Sequence, residues 1–157
     1  MRRLSALKKL NTLPVEGDNF ATETRIIFAR ELKIRNWISK RILIAQDSEY
    51  KEFDGLIQKG GTKYIIRAEV FIRSQKYYRK QFKQFKHRNS KRNDCLFYIT
   101  YSEEIKQKIL NLACRLDRVY AATLQNLITA DPLYFENGQG GRICFIRKGS
   151  ACLEMDY

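Results

Sequence analysis

The densest run of apolar, β-branched and aromatic positions lies between Phe53 and Phe71, in the stretch FDGLIQKGGTKYIIRAEVF. Apolar residues dominate both halves of this stretch, and the pair Gly60-Gly61 separates them. A glycine pair between two such runs is typical of a β-hairpin, because glycine adopts the positive φ angles that tight turns require. The pattern therefore predicts two paired strands, with Lys59 opposite Thr62.

The same register places polar residues together near the open end of the predicted hairpin. Asp54 falls opposite Arg67, and Glu69 lies two residues beyond Arg67 on the same face of the sheet. Two carboxylates on one face are what a divalent-metal site needs, because hard cations take oxygen ligands. A cross-strand ion pair between Asp54 and Arg67 is the simpler structural alternative.

A helix is predicted before the hairpin, from about Asn19 to Leu32. Apolar residues recur there at helical spacing, and Asp18 or Asn19 suits the N-cap position. Glu23 lies on or near the apolar face and could add a third carboxylate. Glu31 is also near that face, and the sequence does not separate the two.

A second helix is predicted after the hairpin, from Ser74 to Arg88, with Tyr78, Phe82 and Phe85 as its buried stripe. The segment from Arg73 to Arg92 contains no acidic residue, which favours contacts with phosphates over a merely solvated face. The candidate DNA-binding residues are the cations of this segment and two from the C-terminal region: Arg79, Lys80, Lys83, Lys86, Arg88, Lys91, Arg92, Arg142 and Arg147.

The remaining apolar patterns predict further strands and one long helix. Residues 37–45 (WISKRILIA) and 95–101 (CLFYITY) have the composition of strands. A long helix is expected to begin at Ser102 and to end by Pro132. Residues 142–147 and 151–155 are predicted to form a second hairpin around Lys148-Gly149.

Composition and charge add a partner to this picture. The chain has 157 residues, of which 44% are hydrophobic, so we expect one globular domain at 18–157 behind a basic arm at 1–17. Its formal net charge of +13 favours a polyanion, with nucleic acid ahead of a membrane surface. The four cysteines show no CxxC spacing and no run is long enough to span a bilayer, so a reduced, cytoplasmic protein without a membrane partner is expected.

The order of predicted elements (helix, strand, hairpin, basic helix, strand) resembles the core of the PD-(D/E)XK nucleases. The resemblance covers residues 18–102, with 103–157 as a C-terminal elaboration. It implies an α/β fold of the restriction-endonuclease-like kind, with a mixed central sheet flanked by helices, and an added long helix and β-hairpin. In that family a first-helix glutamate, an aspartate that begins the second strand and an acid-x-Lys motif on the third strand converge on Mg²⁺. These positions correspond to Glu23, Asp54 and residues 67–71.

The third strand departs from the family pattern. If Glu69 is the acid, Phe71 stands at the lysine position. If the hairpin register decides, Arg67 replaces the acid and Glu69 replaces the lysine, and this is the register we favour. Some restriction enzymes resemble this chain in carrying glutamate at the lysine position, and the bacterial intron-encoded homing endonuclease with this fold also departs from the motif on that strand. Lys76, at the head of the basic helix, is the candidate substitute for the lysine.

The resemblance implies a site-specific endonuclease of the homing or restriction type that hydrolyses double-stranded DNA with Mg²⁺. Asp54, Glu69 and Glu23 would be the metal ligands, and Arg67 and Lys76 would supply positive charge to the phosphate. A homodimer or homotetramer is expected, because one small domain has one site and a duplex has two strands. The alternatives are a degenerate nuclease fold that only binds nucleic acid and a Holliday junction resolvase.

Overall fold

The structure is a computed structural model that describes residues 17–31, 33–89, 93–130, 133–145 and 154–156. Five helices lie within these ranges: α1 (Gly17–Glu31), α2 (Lys40–Gln46), α3 (Gln75–Asn89), α4 (Glu103–Leu112) and α5 (Leu124–Thr129). The strands are β1 (Ile38–Ser39), β2 (Gly55–Lys59), β3 (Thr62–Glu69), β4 (Cys95–Thr100), β5 (Val119–Thr123), β6 (Leu133–Asn137), β7 (Arg142–Phe145) and β8 (Glu154–Asp156). A short 3-10 turn, Ser48–Glu52, precedes β2.

All of these strands belong to one sheet, in which their spatial order equals their order along the chain. β3, β4 and β5 are parallel neighbours, and every other described pair is antiparallel. Parallel neighbours need a crossover, and α3 and α4 supply the two crossovers. The predicted α/β class with a mixed sheet flanked by helices is confirmed.

The central hairpin has the predicted register. Lys59 pairs with Thr62, and the ladder continues to Gly55 opposite Ile66. Gly60 and Gly61 form the turn with φ angles of 56° and 85°, a conformation that residues with a side chain rarely adopt. The register therefore follows from the turn, and it carries Asp54 to the position opposite Arg67.

Apolar side chains of the hairpin strands point alternately to two cores on opposite faces of the sheet. Ile66 and Ala68 face the core that contains Phe20 and Phe28 of α1. Ile65 faces the second core, which contains the predicted α3 stripe of Tyr78, Phe82 and Phe85 together with side chains of α4. Helices α1 and α3 therefore cover opposite faces, and Arg67 and Glu69, which alternate with Ile66 and Ala68, point to the α3 face.

The prediction of a strand over residues 37–45 was wrong for most of its length. Only Ile38 and Ser39 are in β1, and the chain then forms helix α2. Lys, Arg, Leu, Ala and Gln favour a helix, and one buried contact, made by Leu43, fixes it to the core. The isoleucines that suggested a strand, Ile42 and Ile44, are exposed.

The single long helix predicted from Ser102 to Pro132 was also wrong. Helix α4 ends at Leu112, a turn follows, and residues 119–123 form β5 parallel to β4. Apolar residues spaced by seven and eight satisfied a helical pattern across this break, although the β-branched and aromatic run at 119–123 suits a strand. Helix α5 is the remaining part of the predicted helix.

The C-terminal strands extend the same sheet. The predicted antiparallel pairing after residue 141 is confirmed by β7 and β8, with Ile143 opposite Asp156. The predicted turn at Lys148-Gly149, the contact residue Arg147 and the basic arm at 1–16 lie outside the described residues. No helix in the described ranges is long and apolar enough to cross a bilayer.

The ring of Trp37 packs closely against Gly55, at the start of β2. A β-carbon on Gly55 would lie 2.2 Å from Cε2 of that ring, so Gly55→Ala forces the indole to move. We expect a loss of about 1–3 kcal/mol in the free energy of unfolding, as overpacking causes elsewhere. Denaturant titration followed by the emission of Trp37, the single tryptophan, measures it. Gln58→Ala, at an exposed position on the same strand, should change little, and equal stability of the two variants would contradict this packing.

Candidate functional site

The predicted residues Asp54, Arg67 and Glu69 form one ion cluster on the α3 face. Arg67 Nη1 lies 3.6 Å from Asp54 Oδ2, and Arg67 Nε lies 3.6 Å from Glu69 Oε2. The backbone N–H of Ala68 donates a hydrogen bond of 2.8 Å to Asp54 Oδ2, which fixes that carboxylate against the third strand. The guanidinium of Arg67 thus lies between the two carboxylates.

Glu69 is the most deeply buried member of the cluster, with 1% of its side chain exposed. Arg73, from the loop that leads into α3, donates a hydrogen bond of 3.2 Å from Nε to Glu69 Oε1. Burial raises the pKa of Glu69, and the neighbouring Arg67 and Arg73 only partly oppose that shift. The Glu69 carboxyl group, with its raised pKa, therefore contacts Arg73, whose side chain is half exposed.

Helix α3 and the 3-10 turn hold the arginine of the cluster in place. Arg67 Nη2 donates to the hydroxyl of Tyr77 at 2.9 Å, and Arg67 Nη1 donates to the backbone carbonyl of Glu52. Gln81 Nε2 also donates to the Tyr77 hydroxyl, and Gln81 Oε1 accepts from Tyr98. A buried polar chain thus runs from the β4 strand to Arg67, so the position of the guanidinium is set from several sides.

A cleft of about 220 Å³ opens beside the cluster, and we call it the basic cleft. Its lining residues come from α1, from the β1–α2 segment and from the start of β2: Ala21, Thr22, Arg25, Trp37, Ser39, Lys40, Arg41 and Asp54. Three of these side chains are cationic and one is acidic. Asp54, 12% exposed, is thus the member of the ion cluster that reaches a solvent-connected cavity.

Glu23 is not part of the ion cluster. It lies on α1, which covers the sheet face opposite to the one that Glu69 faces. Its Oε2 atom is buried and has no hydrogen bond among the described residues. Glu31 belongs to the same helix, but its side chain is not among those described.

These positions allow a test of whether the predicted ligands fit one Mg²⁺ ion. Mg²⁺ demands near-octahedral oxygen ligands, but Arg67 already occupies the space between Asp54 and Glu69. Within the part of the chain that the structure describes, no group of three or more His, Cys, Asp or Glu side chains could hold a metal ion. Glu23, Asp54 and Glu69 do not fit a shared Mg²⁺ in this arrangement.

The basic face of α3 is exposed, as the sequence pattern predicts. The exposed side chains on this helix include Lys76 in its first turn and four of the predicted contact residues: Arg79, Lys80, Lys83 and Lys86. We call these five residues the α3 basic face. The side chain of Arg88 is not described, and Lys91 and Arg92 lie outside the described residues.

Arg142, a further predicted contact, is already engaged within the protein. Its Nη2 atom lies 3.2 Å from Glu136 Oε1, and its guanidinium stacks over the ring of Tyr134 at 4.7 Å. It is exposed on its strand, but its charge is partly neutralised there. This makes it a weaker candidate for phosphate contacts than the α3 basic face.

Sequence reasoning did not identify Arg73 and Tyr77, which complete the ion cluster, or the three cations of the basic cleft. The contact of Arg73 with Glu69 has no local signal, because a spacing of four residues pairs side chains on a helix, whereas Glu69 ends a strand and Arg73 lies in a loop. The contact of Tyr77 with Arg67 has none either, because it depends on how α3 packs on the sheet. The residues that line the cleft come from separate segments of the chain, which meet only in the folded protein.

Comparison with models of protein families, with curated proteins and with solved structures finds no match for this chain.

The raised pKa of Glu69 gives a pH-dependent prediction. Since the folded state favours the protonated form, the stabilisation is complete below the usual pKa of glutamate and is lost as the pH rises through the raised pKa. Relative to Glu69→Gln, the wild-type protein should therefore lose stability as the pH increases from about 4. Chemical unfolding of both proteins across this range measures the difference. A wild-type protein that gains stability relative to Glu69→Gln as the pH rises would contradict a raised pKa of Glu69.

Proposed function

We propose that this protein binds double-stranded DNA through the α3 basic face. The observation that carries the proposal is that all five side chains of this face are cationic and exposed on one helix. No acidic residue occurs in the sequence from Arg73 to Arg92, so the helix has no neutralising partner of its own. Such a surface attracts closely spaced phosphates and releases their counterions.

The apolar side of α3 supports the same interpretation. Tyr78, Phe82 and Phe85 are buried against the sheet, so they anchor the helix and are not available for stacking on bases. The helix is thus anchored to the sheet, and its cations are directed outward. Cationic side chains on an anchored helix position a duplex through its phosphates, without reading its sequence.

The topology favours a relationship to the nuclease core. Apart from helix α2 and the 3-10 turn, which lie between β1 and β2, the order α1, β1, β2, β3, α3, β4 resembles the order expected for the PD-(D/E)XK nucleases, with an antiparallel first part and parallel β3 and β4. Glu69 ends β3, and Asp54 immediately precedes β2, the neighbouring strand. The arginine between them favours a version of that fold in which binding is kept and the acidic site is replaced by an ion cluster.

Hydrolysis of DNA with Mg²⁺, by a homodimer or homotetramer, is the second candidate function. The position of Asp54 favours it, because this residue lines the basic cleft together with three cationic residues. Such a site needs Arg67 to leave its place between the carboxylates. The two candidate functions therefore differ in whether Arg67 leaves its position between Asp54 and Glu69.

Binding is tested with a fluorescently labelled duplex in EDTA over a series of salt concentrations. The double variant Lys80→Ala with Lys83→Ala should weaken binding roughly tenfold and lower the salt slope by about two, because two phosphate contacts are lost. The matched control, Arg30→Ala with Arg35→Ala, removes two exposed cations on or just after α1, on the other side of the sheet. Equal losses in the two double variants would contradict a specific role for α3.

Catalysis is tested with long linear duplexes and with a four-way junction, in Mg²⁺ and in EDTA. The binding proposal predicts intact DNA under all conditions, and retardation by both the wild type and Asp54→Asn. Discrete fragments that require Mg²⁺ and disappear in Asp54→Asn would establish the endonuclease instead. Cleavage of the junction alone would establish a resolvase.

A further inference from the structure

We propose that the basic cleft binds one backbone phosphate of the nucleic acid, beside Asp54. The inference rests on the proposed function and extends it, because it adds a second anchoring point away from the α3 basic face. The cleft lies between α1 and the β1–α2 segment. Its ligand class is a phosphodiester, and its expected occupant is the sugar-phosphate backbone of the bound strand.

The charge of the cleft comes from two separate elements. Arg25 projects from the middle of α1, and Lys40 and Arg41 lie at the start of α2. Three cations on two helices repel one another unless an anion lies between them, so their convergence on one cavity favours a bound anion. Arginine pairs with phosphate in a bidentate manner, and lysine binds phosphate as a point charge.

Asp54, the one acidic residue among the described residues that line the cleft, is engaged by the ion cluster. Asp54 is paired with Arg67 at 3.6 Å and accepts a hydrogen bond from the backbone N–H of Ala68. The cation that pairs with Asp54 is therefore Arg67, which is not one of the cleft residues. The net charge of the cavity lining is positive, and a phosphate that enters it replaces the missing counter-charge.

One wall of the cleft, formed by Trp37, packs against the core. Trp37 packs edge-on against Phe28, with ring centroids 5.6 Å apart, and it leaves no room for a side chain at Gly55. The hydroxyl of Ser39 does not cap helix α2, although Ser39 is its N-cap residue. A volume of about 220 Å³ greatly exceeds the roughly 30 Å³ of one water molecule, so a phosphate group can enter.

A phosphate in the cleft would lie near Asp54, which is one of the residues that line it. This position also predicts the path of the nucleic acid, which must reach from the α3 basic face to the edge of the sheet where β1 and β2 pair. The two anchoring points would then act together on one strand.

The position of Trp37 provides a direct test, because it is the only tryptophan and it lines the cleft. Duplex DNA in EDTA should change the emission of Trp37, and so should millimolar inorganic phosphate alone. The double variant Arg25→Ala with Arg41→Ala should lose both changes and should lower the salt slope of duplex binding by about one. Lys40→Gln should weaken both changes. The double variant of Arg30 and Arg35 should behave as the wild type.

Three results separate the inference from the proposed function. In the first result, the duplex binds without a change in Trp37 emission, and the double variant Arg25→Ala with Arg41→Ala keeps the wild-type salt slope. This result would overturn the phosphate site but would not contradict the α3 interface. A Trp37 response to phosphate without duplex binding would support the site and contradict the proposed function. Failure of both duplex binding and the phosphate response would overturn both. Circular dichroism of each variant establishes that it is folded.

Discussion

The guanidinium of Arg67 between the carboxylates of Asp54 and Glu69 is the interaction on which the rest of this site depends. A buried charge is tolerated only when it is paired, and removal of one partner from a buried pair costs about 3–5 kcal/mol. Arg67 and Glu69 are almost fully enclosed, and helix α3 adds the Tyr77 hydroxyl. The hairpin register, the packing of α3 and the ionisation of the acids are therefore linked through one side chain.

The carboxylates of the ion cluster and the cations of the two basic surfaces lie in different surroundings. Glu69 points into the protein under Arg73, whereas the cations of α3 and of the basic cleft are directed toward solvent or a cavity. The described cations of these two surfaces are thus accessible to a polyanion, while the two carboxylates of the ion cluster are paired with Arg67. The proposed function follows from this division, since phosphate contacts need cations without competing acids.

Much of this arrangement was predictable from the sequence where the determining interactions are local. The glycine pair fixed the hairpin register, and helical spacing identified the buried stripe of α3. The face that a helix covers depends instead on tertiary packing, so the placement of Glu23 away from Glu69 could not be read from spacing. Isoleucine at positions 42 and 44 suggested a strand, but without core contacts the helix-forming neighbours decide. The basic cleft depends on contacts between separate segments, which no local pattern encodes.

The central claim is that the Asp54–Arg67–Glu69 cluster is a closed ion cluster and not a metal site. The most direct measurement is the binding of Mn²⁺, a substitute for Mg²⁺ that electron paramagnetic resonance detects. Free Mn²⁺ is measured in the presence of the wild type and of Asp54→Asn, each with and without duplex DNA. The account predicts that both proteins leave the same amount of Mn²⁺ free in each condition. One Mn²⁺ bound per wild-type chain and lost in Asp54→Asn would contradict it, and would show that Arg67 yields its place to a metal.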